Sequence, residues 1–264
     1  MRDFEGRAVM KIGFVGTGTI TEAMVKGMLG SSLDLSRITV SPRNGEIAAR
    51  LAASSPLVEI GADNQAVVDA ADILFLAIRP QVAEEVIKGL RFRAGQCVVS
   101  VVAATDRAKL DDWIDAPVTI TQAIPLPFVA ERAGVTAIYP ESETVAAIFS
   151  ALGSAVACET RAEYDLLAAA SALMATYFGI LDRTTGWLAD QGMPADKARA
   201  YLAPLFLSLA QQAVKHGETP LDQLKQEFST KGGLNEQVFE DFDHKGGSGA
   251  LIAALDRVLA RIKG

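Results

Sequence analysis

Cysteine, histidine and basic charge are all scarce in this 264-residue chain. Cys97 and Cys158 stand alone, which excludes a disulfide framework and zinc-ligand spacing and fits a reducing compartment. His216 and His244 belong to no Ser-His-Asp order and no two-histidine helix motif; both are expected at the surface. Lys and Arg number 25 against 32 Asp and Glu, a net charge of −7, so a nucleic-acid-binding surface is not expected. No apolar run reaches the roughly 18 residues of a membrane helix. The start, Met1 to Arg7, is charged and lacks the apolar stretch of a signal peptide. What is abundant is core material: half the residues are hydrophobic and 22% are charged. These features predict a soluble, cytoplasmic, acidic globular protein of two domains, at roughly 150 residues per domain.

From about Met10 to Gly153 short β-rich runs alternate with helical spacing. Strands are expected at Lys11–Val15, Arg37–Val40, Ile73–Ile78, Cys97–Val102 and Val118–Ala123, with Val58–Ile60 and Val135–Tyr139 as weaker candidates. Helices are expected at Ile20–Leu29, Glu46–Ala53, Asn64–Ala70, Gln81–Gly89 and Asp106–Ile114. This alternation specifies βαβ units and a largely parallel sheet. After Thr160 the chain reads as helices alone. Ala162–Gln191 is apolar over most of its circumference and is expected to be one helix buried on several sides. Gly192-Met193-Pro194 leads into Ala195–His216, and Thr219-Pro220 opens a short segment to Phe228. Ser229–Gly233 reads as a loop, Asn235–Phe242 as a helix, and Gly246-Gly247-Ser248-Gly249 as a hinge before a final helix. The fold class is therefore an α/β N-terminal domain, 1–157, and an all-α C-terminal domain, 158–264. A helical domain this apolar is expected to pair with a second copy.

The segment Lys11-Ile12-Gly13-Phe14-Val15-Gly16-Thr17-Gly18-Thr19-Ile20-Thr21 is a strand, a glycine-rich turn and a helix start. Gly16 permits the tight turn, Gly18 lets the backbone approach a pyrophosphate, and the helix amides at Thr19 and Ile20 face the anion. The third fingerprint position is Thr21 instead of Gly or Ala, a departure. The second strand ends in Ser41-Pro42-Arg43-Asn44 with no acidic residue for a ribose 2′-hydroxyl. Ser41, Arg43 and Asn44 instead suit a 2′-phosphate, so NADP is the expected cofactor, with NAD as the alternative.

Several motifs, in order along nearly the whole chain, resemble those of pyrroline-5-carboxylate reductases. Gly16 to Ala23 is similar to the family's glycine loop, and Ser41-Pro42 to its segment after the second strand. Asn64, Ala71-Asp72 and Ala77-Ile78-Arg79-Pro80-Gln81 resemble its Asn…Ala-Asp…Ala-Val-Lys-Pro-Gln pattern. Ser100 to Ala104 sits where the family has Ser-Ile-Ala-Gly. Gly192-Met193-Pro194 and Ser229-Thr230-Lys231-Gly232-Gly233 resemble Gly-Leu-Pro and Thr-Ser-Pro-Gly-Gly.

The resemblance implies a Rossmann domain, a helical dimerisation domain giving a homodimer or higher homo-oligomer, and reduction of a cyclic imine to proline by NAD(P)H. It implies cofactor contacts at Asn64, Ala77, Arg79 and Pro80, and a substrate carboxylate at the late Gly-Gly loop. Departures cluster at the substrate motifs. Arg-x-Met-Pro-Asn-Thr-Pro becomes Gln122-Ala123-Ile124-Pro125-Leu126-Pro127-Phe128, and Ser-Gly-Ser-Gly-Pro-Ala-Tyr becomes Ser171-Ala172-Leu173-Met174-Ala175-Thr176-Tyr177. Pro-Gly-Gly-Thr-Thr becomes Lys231-Gly232-Gly233-Leu234-Asn235.

Read by their own chemistry, Gly232, Gly233 and Leu234 precede a helix and offer amides to an anion, with Lys231 adding charge. Asn235 is a hydrogen-bond donor or a helix cap, Tyr177 a phenol for the imine, and Thr176 polar lining. Leu126, Phe128 and Met174 would favour a bulkier imine if they face the site. The leading expectation is NADPH-dependent reduction of a cyclic imine carboxylate, by default 1-pyrroline-5-carboxylate to L-proline, a small-molecule substrate. The alternatives are a reductase of another imine, keto acid or 3-hydroxy acid, with Lys231 as acid, and a non-catalytic nucleotide-binding protein. Met10-Lys11 resembles the usual family start, so residues 1–9 are expected to be an extension or an upstream start.

Overall fold

The computed structural model describes residues 9–264. The expectation about residues 1–9 thus lies, Val9 apart, outside the described residues. The chain forms two compact units, the first ending at Ala168 and the second running Ala169–Gly264. That division falls later than the expected boundary at 157/158. The physical reason is Tyr164, whose buried ring packs with Ala137 and Cys158 and keeps the first turns of its helix with the sheet.

In the first unit, strands and helices alternate: β1 (Met10–Val15), α1 (Thr19–Leu29), β2 (Leu35–Val40), α2 (Gly45–Ser54), β3 (Val58–Ile60), α3 (Asn64–Ala70) and β4 (Ile73–Leu76). They continue with α4 (Pro80–Lys88), β5 (Cys97–Ser100), α5 (Arg107–Trp113), β6 (Thr119–Ile124), β7 (Gly134–Tyr139), α6 (Glu143–Ala151), β8 (Gly153–Ala157) and α7 (Arg161–Ala170). The strands form one sheet in the order β3-β2-β1-β4-β5-β6-β7-β8. From β3 to β6 every pairing is parallel; β7 runs antiparallel to β6, and β8 parallel to β7.

Side-chain alternation explains why these runs are strands apolar on both faces. Ile12, Phe14, Ile73, Phe75 and Val99 point into a core shared with α1, α2 and α6. Val15, Leu74, Leu76 and Val98 point into a second core with α3, α4 and α5. Phe14 stacks on Phe75 with ring centroids 4.8 Å apart, and Phe149 of α6 meets Phe75 edge-on at 6.2 Å. The pair α6–β8 is absent from the sequence expectation: β8 is a Gly-Ser-Ala-Val-Ala edge strand, largely exposed, with little β-propensity of its own.

The second unit is helical: α8 (Leu173–Asp190), α9 (Ala195–Lys215), α10 (Leu221–Glu227), α11 (Leu234–His244) and α12 (Gly247–Lys263). Three expectations need correction. The single helix over Ala162–Gln191 is two, α7 and α8, separated by a turn at Ser171-Ala172. It is not buried on several sides either: α8 has no buried residue, and Phe178, Ile180 and Trp187 are exposed. The glycines after Gly246 are not a hinge. Gly246 adopts φ 83° and caps α12, while Gly247 and Gly249 lie within the helix.

No unbroken apolar run reaches 18 residues, but the stretch Arg161–Asp190 has a high average hydropathy. By length and composition it is apolar enough to cross a membrane, with an 18-residue mean hydropathy of 1.4. Scattered charges such as Asp182 and Arg183 break every long apolar run yet leave the average high.

Candidate functional site

Because β1 is flanked by β2 on one side and β4 on the other, the crossovers diverge there, and a crevice opens beyond the strand ends. A cleft of about 440 Å³ occupies it, lined by the turn after β1 (Gly16, Thr17, Gly18), the turn after β2 (Arg43, Asn44, Gly45) and the segment after β4 (Ala77, Ile78, Arg79). Two backbone hydrogen bonds extend the sheet to its rim: Ser41 N–H donates to Phe14 O at 3.0 Å, and Ala77 N–H to Val15 O at 2.8 Å.

The glycines here have distinct physical roles. Gly16 sits at φ +101°, and a Cβ on it would lie 2.2 Å from the Ala77 carbonyl oxygen. No other residue fits. A Cβ on Gly18 would meet nothing within 4 Å, so this backbone faces open space at the start of α1. Arg43 and Arg79 are exposed, and among the described residues neither is in an ion pair. An amide-lined turn facing an open cleft, with two unneutralised guanidinium groups on its walls, fits a phosphate-rich dinucleotide.

The expected contacts are only partly gathered there. Gly16, Gly18, Arg43, Asn44, Ala77 and Arg79 line the cleft. Thr19 and Ile20 form the first turn of α1 beside it, and Pro80 begins α4 next to Arg79. Asn44 also caps α2, its Oδ1 accepting from Ile47 N–H at 3.4 Å. Asn64 opens α3, capped by Asp63, and is not among the lining residues. Ser41 departs furthest from its expected role. It is fully buried, so it does not reach a 2′-phosphate; its Oγ accepts from Gly16 N–H at 2.9 Å, and its carbonyl accepts from Thr17 Oγ at 2.6 Å. Thr21, noted only as a departure, donates from Oγ1 to the Gly16 carbonyl at 2.6 Å.

A network at the carboxyl end of β6 has no counterpart in the sequence expectations. Buried Gln122 donates to the Thr105 carbonyl at 2.7 Å and accepts from Arg161 at 3.3 Å. Arg161 also meets Asp165 at 2.7 Å and Asp106 at 3.5 Å. With two carboxylates already on it, this guanidinium is a structural tie between α7 and the sheet. Beside it, the exposed Ala103-Ala104 loop follows β5, and Ala104 takes φ +51°.

In the second unit the loop Ser229–Gly233 precedes α11 as expected, and Gly233 is the N-cap. Its donors are partly engaged. Gly232 N–H donates to Glu236 Oε2 at 2.5 Å, and Asn235 Nδ2 donates to the Phe228 carbonyl at 2.7 Å. Asn235 thus ties the loop to α10 with one of its two amide N–H donors. Lys231 and Glu236 line a cavity of about 450 Å³ with Lys225, Ser229, Phe239 and Glu240. Leu234 is 81% exposed. Thr176 and Tyr177 lie on an exposed part of α8; the Tyr177 ring meets Phe206 of α9 edge-on at 5.9 Å. Phe128 and Met174 are exposed and Leu126 half-buried. His216 and His244 are at the surface, as expected.

Fold and cleft together define a Rossmann-type NAD(P)-dependent oxidoreductase with a helical C-terminal half. Residues 11–104 match the family model described as NADP oxidoreductase, coenzyme F420-dependent, and residues 164–264 match pyrroline-5-carboxylate reductase dimerisation. The pyrroline-5-carboxylate reductase of Pseudomonas aeruginosa is 23% identical over 261 residues, covering 95% of each chain. That of Escherichia coli is 23% identical over 262 residues, covering 95% of this chain and 96% of its own. The solved pyrroline-5-carboxylate reductase of Coxiella burnetii shares the fold with a TM-score of 0.84 at 21% identity, covering 97% of this chain and 98% of its own. The Plasmodium falciparum pyrroline carboxylate reductase, solved with NADP bound, gives 0.79 at 15%, covering 96% and 97%. Residues 164–264 thus match the pyrroline-5-carboxylate reductase dimerisation model, and the chain is similar over 95% of its length to pyrroline-5-carboxylate reductases.

Proposed function

We propose that the protein reduces a cyclic imine carboxylate with NADPH, and that the substrate is 1-pyrroline-5-carboxylate and the product L-proline. The observation that carries this reading is the glycine- and arginine-lined cleft at the β1/β4 switch point, in a chain similar over 95% of its length to pyrroline-5-carboxylate reductases. When bound, the dinucleotide supplies the hydride. The chain's contribution is placement. Gly16, Gly18, Thr19 and Ile20 present backbone to the pyrophosphate, Arg43 and Asn44 meet the 2′-phosphate, and Ala77, Arg79 and Pro80 form the facing wall; Asn64, outside the lining, is assigned to the cofactor by the resemblance alone. NADP is the preferred form, since the strand end after β2 lacks the carboxylate that would select NAD.

A protonated imine already carries the positive charge that activates its carbon, so hydride transfer needs no strong acid from the protein. What the substrate needs is a grip on its carboxylate. We assign that to the loop Lys231, Gly232, Gly233 and Leu234, with Asn235 holding the loop and Thr176 and Tyr177 as polar lining. The exposed apolar residues of α8 and α9 and the match to a dimerisation domain support a homodimer or higher homo-oligomer. Pairing between copies would cover Phe178, Ile180 and Trp187 and accounts for the apolar Arg161–Asp190 stretch without a membrane. Two free, unpaired cysteines and an excess of acidic residues accord with a cytoplasmic protein that does not bind nucleic acid.

The test is NADPH oxidation by the purified protein with 1-pyrroline-5-carboxylate, followed by product identification. Turnover yielding proline supports the reading; no oxidation across a panel of cyclic imines overturns it. Lys231→Ala separates docking from acid chemistry: a higher KM with kcat kept marks anion docking, whereas loss of kcat marks Lys231 as an acid for a carbonyl substrate.

A further inference from the structure

The peptide units flanking Gly16 are held at both ends by buried hydroxyls. The Gly16 N–H donates to Ser41 Oγ at 2.9 Å, and its carbonyl accepts from Thr21 Oγ1 at 2.6 Å. Ser41 is in turn held by Thr17, whose hydroxyl donates to the Ser41 carbonyl at 2.6 Å and lies 3.0 Å from Ser41 Oγ. Ser41 and Thr21 are completely buried and Thr17 nearly so. Thr21 is the residue that departs from the dinucleotide fingerprint, which takes a small residue there to let helix and strand close up. A helical threonine commonly bonds the carbonyl four residues back; this one reaches five back, out of α1 and across the turn. The Ala77 carbonyl closes the remaining side, leaving no room for a Cβ on Gly16.

We infer that Thr21 and Ser41 are positioning residues that hold the glycine turn in its ligand-ready shape, so that the pyrophosphate meets preset amides. An unclamped glycine turn would be ordered only on binding, and that ordering would weaken affinity through entropy. Two of the three hydroxyls sit on the turn and the start of α1, and the third comes from the end of β2. The clamp therefore links the pyrophosphate turn to the segment that carries Arg43. This inference rests on the reading of the cleft as a dinucleotide site.

The experiment is calorimetric titration of NADPH onto the full-length protein and its Thr21→Val, Thr21→Ser and Ser41→Ala variants, with melting temperatures and steady-state kinetics in parallel. Thr21→Val keeps the shape and removes the donor. The expected result is a Kd and KM for NADPH raised roughly tenfold in Thr21→Val and Ser41→Ala, the loss appearing in the binding entropy. At saturating NADPH kcat stays within about twofold, and Thr21→Ser recovers most of the affinity. If Thr21→Val fails to fold, the Ser41→Ala and Thr21→Ser comparison decides alone. Variants that bind NADPH as tightly as the parent overturn the clamp while leaving the cofactor reading intact. A parent protein that binds no NADPH overturns both.

Discussion

The carboxylate of Glu236 accepts a 2.5 Å hydrogen bond from the amide of Gly232, within the loop assigned to the substrate carboxylate. An internal anion therefore occupies one of the donors that an external anion would use. Removing it should favour substrate. In Glu236→Ala the KM for the imine carboxylate is expected to fall roughly three- to tenfold with kcat unchanged, because a charge-assisted hydrogen bond no longer has to be displaced. Initial-rate kinetics check this. A rise in KM would show that Glu236 serves only to hold the loop in its binding shape.

Arg43 lines the cleft without an ion-pair partner among the described residues. Arg43→Ala is expected to weaken NADPH binding about tenfold while changing NADH binding less than about twofold, since only the former carries the 2′-phosphate. Fluorescence titration with both coenzymes decides it. Equal losses for the two would place Arg43 elsewhere than at the 2′-phosphate.

Glu22 of α1 is bridged by Arg50 of α2 at 2.9 Å and by Lys26 at 3.0 Å. The Arg50 hydrogen bond, then that of Lys26, pulls its pKa down from 4.5 to about 2. Its folded value lies below its unfolded one, so its stabilising effect is complete above about pH 4.5 and is lost as pH falls towards 2. Melting temperature measured against pH should therefore drop on that acid limb, and Glu22→Gln should flatten the limb and lower the neutral-pH value modestly. Arg50 and Lys26 are about half exposed, which keeps the effect small.

Thr136 of β7 is completely buried, and among the described residues its hydroxyl has no hydrogen-bond partner. Thr136→Val replaces it with a methyl group of similar size in a strand that favours β-branched residues. The expected gain is about 1 kcal/mol, the desolvation cost no longer incurred. Urea unfolding would register it as a higher midpoint at constant slope.

The sequence makes the nucleotide-binding half legible because its signals are local. Phe14 and Phe75 alternate with residues on the opposite face, Phe75 in a run apolar throughout, and Gly16 and Gly18 punctuate a strand-to-helix turn. What stays hidden depends on contacts distant in sequence. Strand Gly153–Ala157 forms because β7 offers it an edge to pair with, not through its own composition. Ser41 reads as a surface hydroxyl at a strand end, and only its burial against Gly16 and Thr17 reveals a clamp. Likewise, nothing in Lys231-Gly232-Gly233 announces that Glu236 will fold back onto the Gly232 amide, or that Asn235 will turn to Phe228. The apolar face of α8 misleads in the opposite sense, since its periodicity signals burial that one protomer does not provide.

The most direct measurement is of coenzyme consumption by the purified protein in the presence and absence of 1-pyrroline-5-carboxylate. Saturable NADPH oxidation that requires the imine and yields L-proline in equal amount is the predicted result. A folded protein that binds neither NADPH nor NADH, or binds them and oxidises neither with any cyclic imine carboxylate, would contradict the account.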